Sequence, residues 1–236
     1  LSVHGTVNDV AMMGATPLYL TAGFVLEEGY PLADLARIVE SMAEAAREAE
    51  VALVAGDTKV VEQGKGDGVF ITTTGIGYLP DGIELGGDQA RPGDLVVISG
   101  SLLSQRENLA FDTPILSDTA PLNGLTRAML ASGARLRVLR DPTRGGLAAT
   151  LNEIAHQSGV GIHLDESAIP VRPEVEAACE LLGLDPLNIA NEGKLVAICH
   201  PRDGERLLAA MRHHPLGQSA ALIGQVVDDP NGFVQM

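Results

Sequence analysis

Tryptophan is absent from this 236-residue chain, and all aromatic side chains together make up only 3% of it. A core must therefore be packed from Ala, Val, Leu and Ile rather than around large rings. Cysteine is nearly as scarce: Cys179 and Cys199 stand far apart and form no CxxC pair. That argues against a disulfide scaffold or a zinc site and for two reduced core residues of a cytoplasmic protein. Only three lysines occur, Lys59, Lys65 and Lys194, the other basic residues being arginines. Acidic residues outnumber basic ones 31 to 16, for a net charge of −15. Such a balance argues against general nucleic-acid or anionic-membrane binding, since both need a basic surface. An anionic substrate would need local cations or a metal to hold it. No apolar run approaches membrane-spanning length, and no signal peptide is visible.

Hydrophobic residues make up 45% of the chain, which suits one large or two modest globular domains. The most informative stretch is V-A-L-V-A-G-D-T-K-V-V at 51–61. It begins as a Val/Leu-rich run that reads as a buried strand, breaks at Gly56, and then carries Asp57, Thr58 and Lys59 in a row. Charged groups at such a place need a partner, a metal or a ligand. A carboxylate beside a lysine suits magnesium plus a phosphate chain, and a local ion pair is the plainer alternative.

Elsewhere, G-T-V-N-D-V-A-M-M-G at 5–14 reads as a helix closed by Gly14, with Asn8 and Asp9 set inside it. Both are poor helix-interior residues, so either one caps or Asp9 ligates. Pro31 to Glu48 is the clearest helix, with Leu35, Ile38, Val39, Met42, Ala43 and Ala46 on one face. Val69 to Tyr78 reads as a strand, in which Thr72, Thr73 and Thr74 need no ligand to explain them. The Gly- and Pro-rich segment Pro80 to Gly93 marks a domain boundary, giving domains at 1–85 and 92–236. In the second half, R-D-P-T-R-G-G at 140–146 leads into a helix that Asp141 or Thr143 could cap, while Gly145 and Gly146 would let backbone N–H groups approach an anion. Glu192, in the turn N-E-G-K at 191–194, is a candidate general acid or base, and a solvated Glu in a tight turn is the plainer reading. Helices and strands alternate irregularly in two halves, predicting two α+β lobes with the polar motifs where they meet.

The strings G-T-V-N-D-V-A at 5–11, F-V-L-E-E-G at 24–29, G-D-T-K-V-V at 56–61, S-D-T-A-P-L-N at 117–123, R-D-P-T-R-G-G at 140–146, N-E-G-K-L-V at 191–196 and A-A-L-I-G at 220–224 run along the whole chain. Together they resemble the AIR-synthase-like (PurM-like) ATP-binding superfamily, and within it the carbamoyl dehydratases of NiFe-hydrogenase maturation. The resemblance implies a two-lobed α+β fold, in which strands of the N-terminal lobe join a barrel shared by a homodimer and the C-terminal lobe is α/β. It implies ATP-dependent dehydration of a carbamoyl group, carried on a C-terminal cysteine thiol, to a thiocyanate that is the precursor of the iron-bound cyanide ligands. Other enzymes of the fold, such as aminoimidazole ribonucleotide synthetase, selenophosphate synthetase or thiamine-phosphate kinase, are the alternative, as is a non-catalytic maturation scaffold.

By the same resemblance Asp9 and Asp57 hold Mg2+ for ATP, Lys59 neutralises phosphate or the activated amide, and Glu192 takes the amide proton. Asn8, Thr58, Asp141, Arg144, Gly145, Gly146 and Asn191 are then nucleotide- or substrate-positioning residues. The implied partners are the carbamoyltransferase HypF and the HypC–HypD iron-assembly complex. Against that family's pattern, an N-terminal Gly-rich segment with a further metal-binding Asp, a Gly-Asp-His-Gly loop near 101–105 and a tail ending in Pro-Arg-Ile-Cys do not occur here. The chain is accordingly expected to be part of a longer protein.

Overall fold

A computed structural model describes residues 1–102 and 118–236. The loop expected between Gly100 and Arg106 lies, beyond Leu102, outside the described residues.

The N-terminal half runs α1 (Ser2–Met12), β1 (Thr16–Glu27), α2 (Leu32–Glu48), β2 (Ala52–Val61), β3 (Val69–Tyr78). Its sheet has the order β2-β1-β3. β1 and β2 are parallel because α2 carries the chain back to the same end, whereas β3 returns antiparallel to β1 after a short turn. Leu20 and Ala22 of β1 meet Val3 and Val7 of α1 and Met42 and Ala46 of α2 in one core. That core covers only one face of the sheet. α2 itself is less sunk than its apolar stripe suggests, since only Met42 and Ala46 are buried and Val39 is exposed.

β2 corrects the reading of 51–61 as a buried strand. It is continuous through Gly56, it lies at the sheet edge, and residues 52–60 are exposed. An edge strand of an uncovered sheet has neither a second neighbour nor a covering layer, so a Val-rich sequence there stays in solvent. Gly56 is needed for a local reason: a Cβ there would lie 2.8 Å from the Ala22 carbonyl oxygen of β1.

Residues 79–94 contain neither helix nor strand and lead into the second half. There follow β4 (Leu95–Ile98), α3 (Asn123–Ala131), β5 (Leu136–Arg140), α4 (Gly146–Ser158), β6 (Gly161–Leu164), α5 (Pro173–Leu182), β7 (Val196–Cys199), α6 (Gly204–Arg212), β8 (Ala221–Val227) and β9 (Val234–Gln235). Among the described residues six strands form one sheet in the order β5-β7-β4-β8-β6-β9. The apolar strand β4 sits near its middle: Val96 and Ile98 point to the core under α4, and Val97 to a second core under α3 and α6. Both cysteines are buried and free. Among the described residues no helix is long and apolar enough to cross a membrane.

Ala11 and Met12, at the end of α1, join the second of these cores, so α1 belongs to both halves. It shares the junction of the two halves with α3, whose Asn123 side chain donates to the Ala49 carbonyl at 2.8 Å.

Candidate active site

α1 divides its surface among three tasks. Val3 and Val7 enter the N-terminal core, and Ala11 and Met12 enter the C-terminal one. Ser2, Gly5, Thr6 and Asp9, at i, i+3, i+4 and i+7, form a third stripe that lines a cleft of about 470 Å³. Opposite it stand Ile71, Thr72 and Thr73 on the free edge of β3. The C-terminal half supplies Asp141, Thr143 and Arg144 from the turn after β5, and Glu192 from the turn before β7. Hydroxyls join the N-terminal walls: Thr6 Oγ1 lies 2.6 Å from Thr73 Oγ1, which donates to the Ser2 carbonyl at 2.8 Å.

The acids in this cleft are electrostatically loaded. Burial, helped by the nearby Asp9 and Glu192 charges, pushes the Asp141 carboxyl up to about 6. Burial also raises Asp9, against the pull of the Arg140 guanidinium. Arg140 is itself engaged with Glu153 at 2.8 Å. Deeper in, burial lowers the Lys194 ammonium while the Asp118 carboxylate supports it, and burial raises Asp118.

The turn that carries Glu192 is tied on several sides. Its N–H donates to Asp118 Oδ2 at 2.9 Å, and Asn191 N–H donates to the Pro142 carbonyl, next to Asp141, at 2.8 Å. A Cβ at Gly193 would overlap the Asp118 carbonyl oxygen, so only glycine lets these segments touch.

Asp9, Asp141, Arg144 and Glu192, singled out from the sequence, therefore come together across the two halves. Asn8 and Asn191 lie beside them but are fully buried. Asn191 donates to the Ile189 carbonyl at 2.9 Å, and Asn8 spans the two halves. The helix after the Gly-Gly pair is not capped by Asp141 or Thr143. Gly145 is its N-cap, with φ +76°, and no side chain caps it. Gly146 N–H is taken by the Thr143 carbonyl, and a side chain at Gly146 would strike the carbonyls of Leu187 and Ile189.

Asp57, Thr58 and Lys59 do not line the cleft. β1 lies between β2 and β3, so the width of the sheet, two strand spacings of about 4.8 Å each, separates them from it. Within one chain the metal pair read from the sequence, Asp9 with Asp57, does not form. Asp9 stands with Asp141 instead. Thr6, Thr73 and Asp118 were not singled out. The i, i+3 spacing of Thr6 to Asp9 on α1 is the signal that would have found the first.

Two carboxylates and several hydroxyls are hard oxygen donors of the kind Mg2+ takes. Among the described residues no group of three His, Cys, Asp or Glu side chains is gathered closely enough to cage a metal. Magnesium is usually held by one or two carboxylates plus phosphate and water, and Asp9 and Asp141 are two such carboxylates.

The AIR synthase related protein N-terminal domain matches residues 1–79, and the AIR synthase related protein C-terminal domain matches 91–236. The chain is 67% identical over 243 aligned residues to the carbamoyl dehydratase HypE of Cupriavidus necator, covering all of this chain and 69% of that protein. A HypE–HypF complex contains a chain that superposes with a TM-score of 0.93 at 51% identity, over 97% of this chain and 77% of that one. HypE in complex with ATP superposes at 0.92 with 50% identity, over 98% and 71%. Identity of this extent over the whole chain, with family models matching both halves, places this chain in the HypE carbamoyl dehydratase family of AIR synthase related proteins.

Proposed function

We propose that this chain carries out ATP-dependent carbamoyl dehydration in hydrogenase maturation, with the reaction centred on the cleft between its halves. The observation that carries the reading is the meeting of Asp9 and Asp141 with Glu192 in a hydroxyl-lined cleft. Two carboxyls that burial raises, Asp141 with the added push of the Asp9 charge, form a site short of positive charge, suited to a metal-bound polyphosphate. In the reaction, the oxygen of a thiol-bound carbamoyl group accepts a phosphoryl group from ATP. The C–O bond then breaks with phosphate as leaving group, the two nitrogen protons are lost, and the S–C≡N group remains. Glu192 takes one of those protons. Asp9 and Asp141 would hold Mg2+, which when bound neutralises phosphate charge and orients the transferred group. Arg144, from the same turn as Asp141, presents positive charge to the cleft.

The uncovered face of the N-terminal sheet favours a homodimer. Tyr19, Val25, Phe70 and Ile76 share that face by register and are all exposed, at 48, 38, 53 and 58%. So large an apolar surface on an edge-exposed sheet calls for a partner, and a second copy joining its strands would provide one. Asp57 and Lys59 pair in register with Gly23 and Val25, so they stand on that same face and would lie at the junction of the two copies. There Lys59 would neutralise phosphate or the activated amide. HypF as carbamoyl donor and HypC–HypD as acceptor follow as partners.

Intact mass spectrometry on the full-length protein tests the reading. After carbamoylation by HypF, addition of Mg-ATP should remove one water from the modified cysteine peptide. A carbamoyl group that survives while ATP is consumed would overturn it.

A further inference from the structure

Asn8 adjoins Asp9 but turns away from the cleft. It is wholly buried, and its side-chain amide is engaged entirely with the other half of the molecule. Nδ2 donates to the carbonyls of Ala120 and Glu192, both at 3.1 Å, and Oδ1 accepts the Leu122 N–H at 2.8 Å. The amide orientation follows from these partners, because flipping it would set an oxygen against two carbonyls and an NH₂ against an N–H. Three contacts and complete burial thus commit the group to the other half of the molecule, away from the cleft lining.

The two segments it grips are the ones that shape the catalytic turn. Residues 118–122 contain Asp118, whose Oδ2 accepts the Glu192 N–H at 2.9 Å. Asn8 holds the same residue from its other side, at the carbonyl. Glu192 is fixed at both its backbone groups, one of them by the neighbour of Asp9.

We infer that Asn8 is a positioning residue that holds Glu192 in place relative to Asp9 across the two lobes, rather than a nucleotide ligand. The inference rests on the reading of Glu192 as the base. Its logic is geometric: a proton acceptor on a short turn works only if the turn is held, and a displacement of about 1 Å can cost about a hundredfold in rate. Burial of the amide makes the hold stiff, since a lost partner would leave carbonyls unsatisfied out of water.

The test compares full-length Asn8→Ala, Glu192→Gln and the double variant for the rate of ATP-dependent dehydration and for ATP binding. Asn8→Ala should lower kcat about a hundredfold while KM for ATP changes less than about twofold. In the Glu192→Gln background the same substitution should cost less than about twofold more, because the group it positions is already gone. Weaker ATP binding in both backgrounds, or a rate loss of equal size in both, would overturn the inference. A Glu192→Gln protein with unchanged rate would instead remove the base assignment itself, and that is read before Asn8 is touched. If Asn8→Ala does not fold, Asp118→Ala releases the turn from its other side. It should lower kcat in the same way, and Asp118→Asn, which keeps an oxygen toward the Glu192 N–H, should restore it. Unchanged kcat in Asp118→Ala would show that the hold on the turn is idle.

Discussion

Asp9 and Asp141 belong to different lobes, yet burial, with the added charge of Asp9, holds the Asp141 carboxyl at about 6. An acid whose pKa is raised on folding carries a proton in the native state that the unfolded chain has already released. Stability from this group is therefore full below about 3.8, falls as pH rises toward 6, and stays lost above that. Asp141→Asn should raise stability at pH 7 by about 2 kcal/mol, allowing for the partial solvent exposure of the group, and flatten the profile between those values. Thermal melts of both proteins across that range check it. Mg2+ should stabilise the parent at pH 7 and lose that effect below pH 6, since a metal must displace the proton.

The uncovered sheet predicts an assembly rather than a folding defect. Phe70→Glu places a charge on the face shared by Tyr19, Val25 and Ile76. Sedimentation should show the dimer converted to monomer. Because Phe70 is already 53% exposed, monomer stability should change by about 1 kcal/mol or less. A dimer that persists unchanged would exclude this face as the interface.

Gly193→Ala should be costly out of proportion to one methyl group. The added Cβ has no room against the Asp118 carbonyl, so the 191–193 turn or the 118–120 segment must shift. Overpacking of this kind costs about 1–3 kcal/mol, and here it also displaces Glu192. Expected together are a lower melting temperature and a loss of dehydration with ATP binding retained.

Cys199 offers a negative control for the thiol chemistry. Burial in the strand β7, beside the Asp94 and Asp203 charges, pushes its thiol up to about 12. As the neutral thiol it is a poor nucleophile at neutral pH. Alkylation of the native protein at pH 8 should leave Cys199 unmodified, while denaturant should expose it.

Much of this architecture could be read in advance, and the reasons differ from residue to residue. The apolar strand β4, the helix after Pro31 and the turns around Gly145 and Gly193 follow from composition and spacing, which act locally. Asp9, Asp141 and Glu192 were legible through the distinctive strings that carry them, since local structure alone left a cap or a solvated turn as the plainer explanation of each. Thr6, Thr73 and Asp118 were not, since a hydroxyl on a helix or strand or an acid in a loop has an ordinary local explanation.

The sequence by itself determined the alternation of elements, the two-part α+β class and the identities of the chemical groups. Only the tertiary structure decided which groups share a site. It turned a Val-rich segment with Asp57 and Lys59 into an exposed edge strand, because among the described residues no second layer covers that face of the sheet. It paired Asp9 with Asp141, because α1 packs into both cores and so carries its acid to the far lobe. And it turned Asn8 inward, because two carbonyls and an N–H from distant segments converge where only a side-chain amide can satisfy all three.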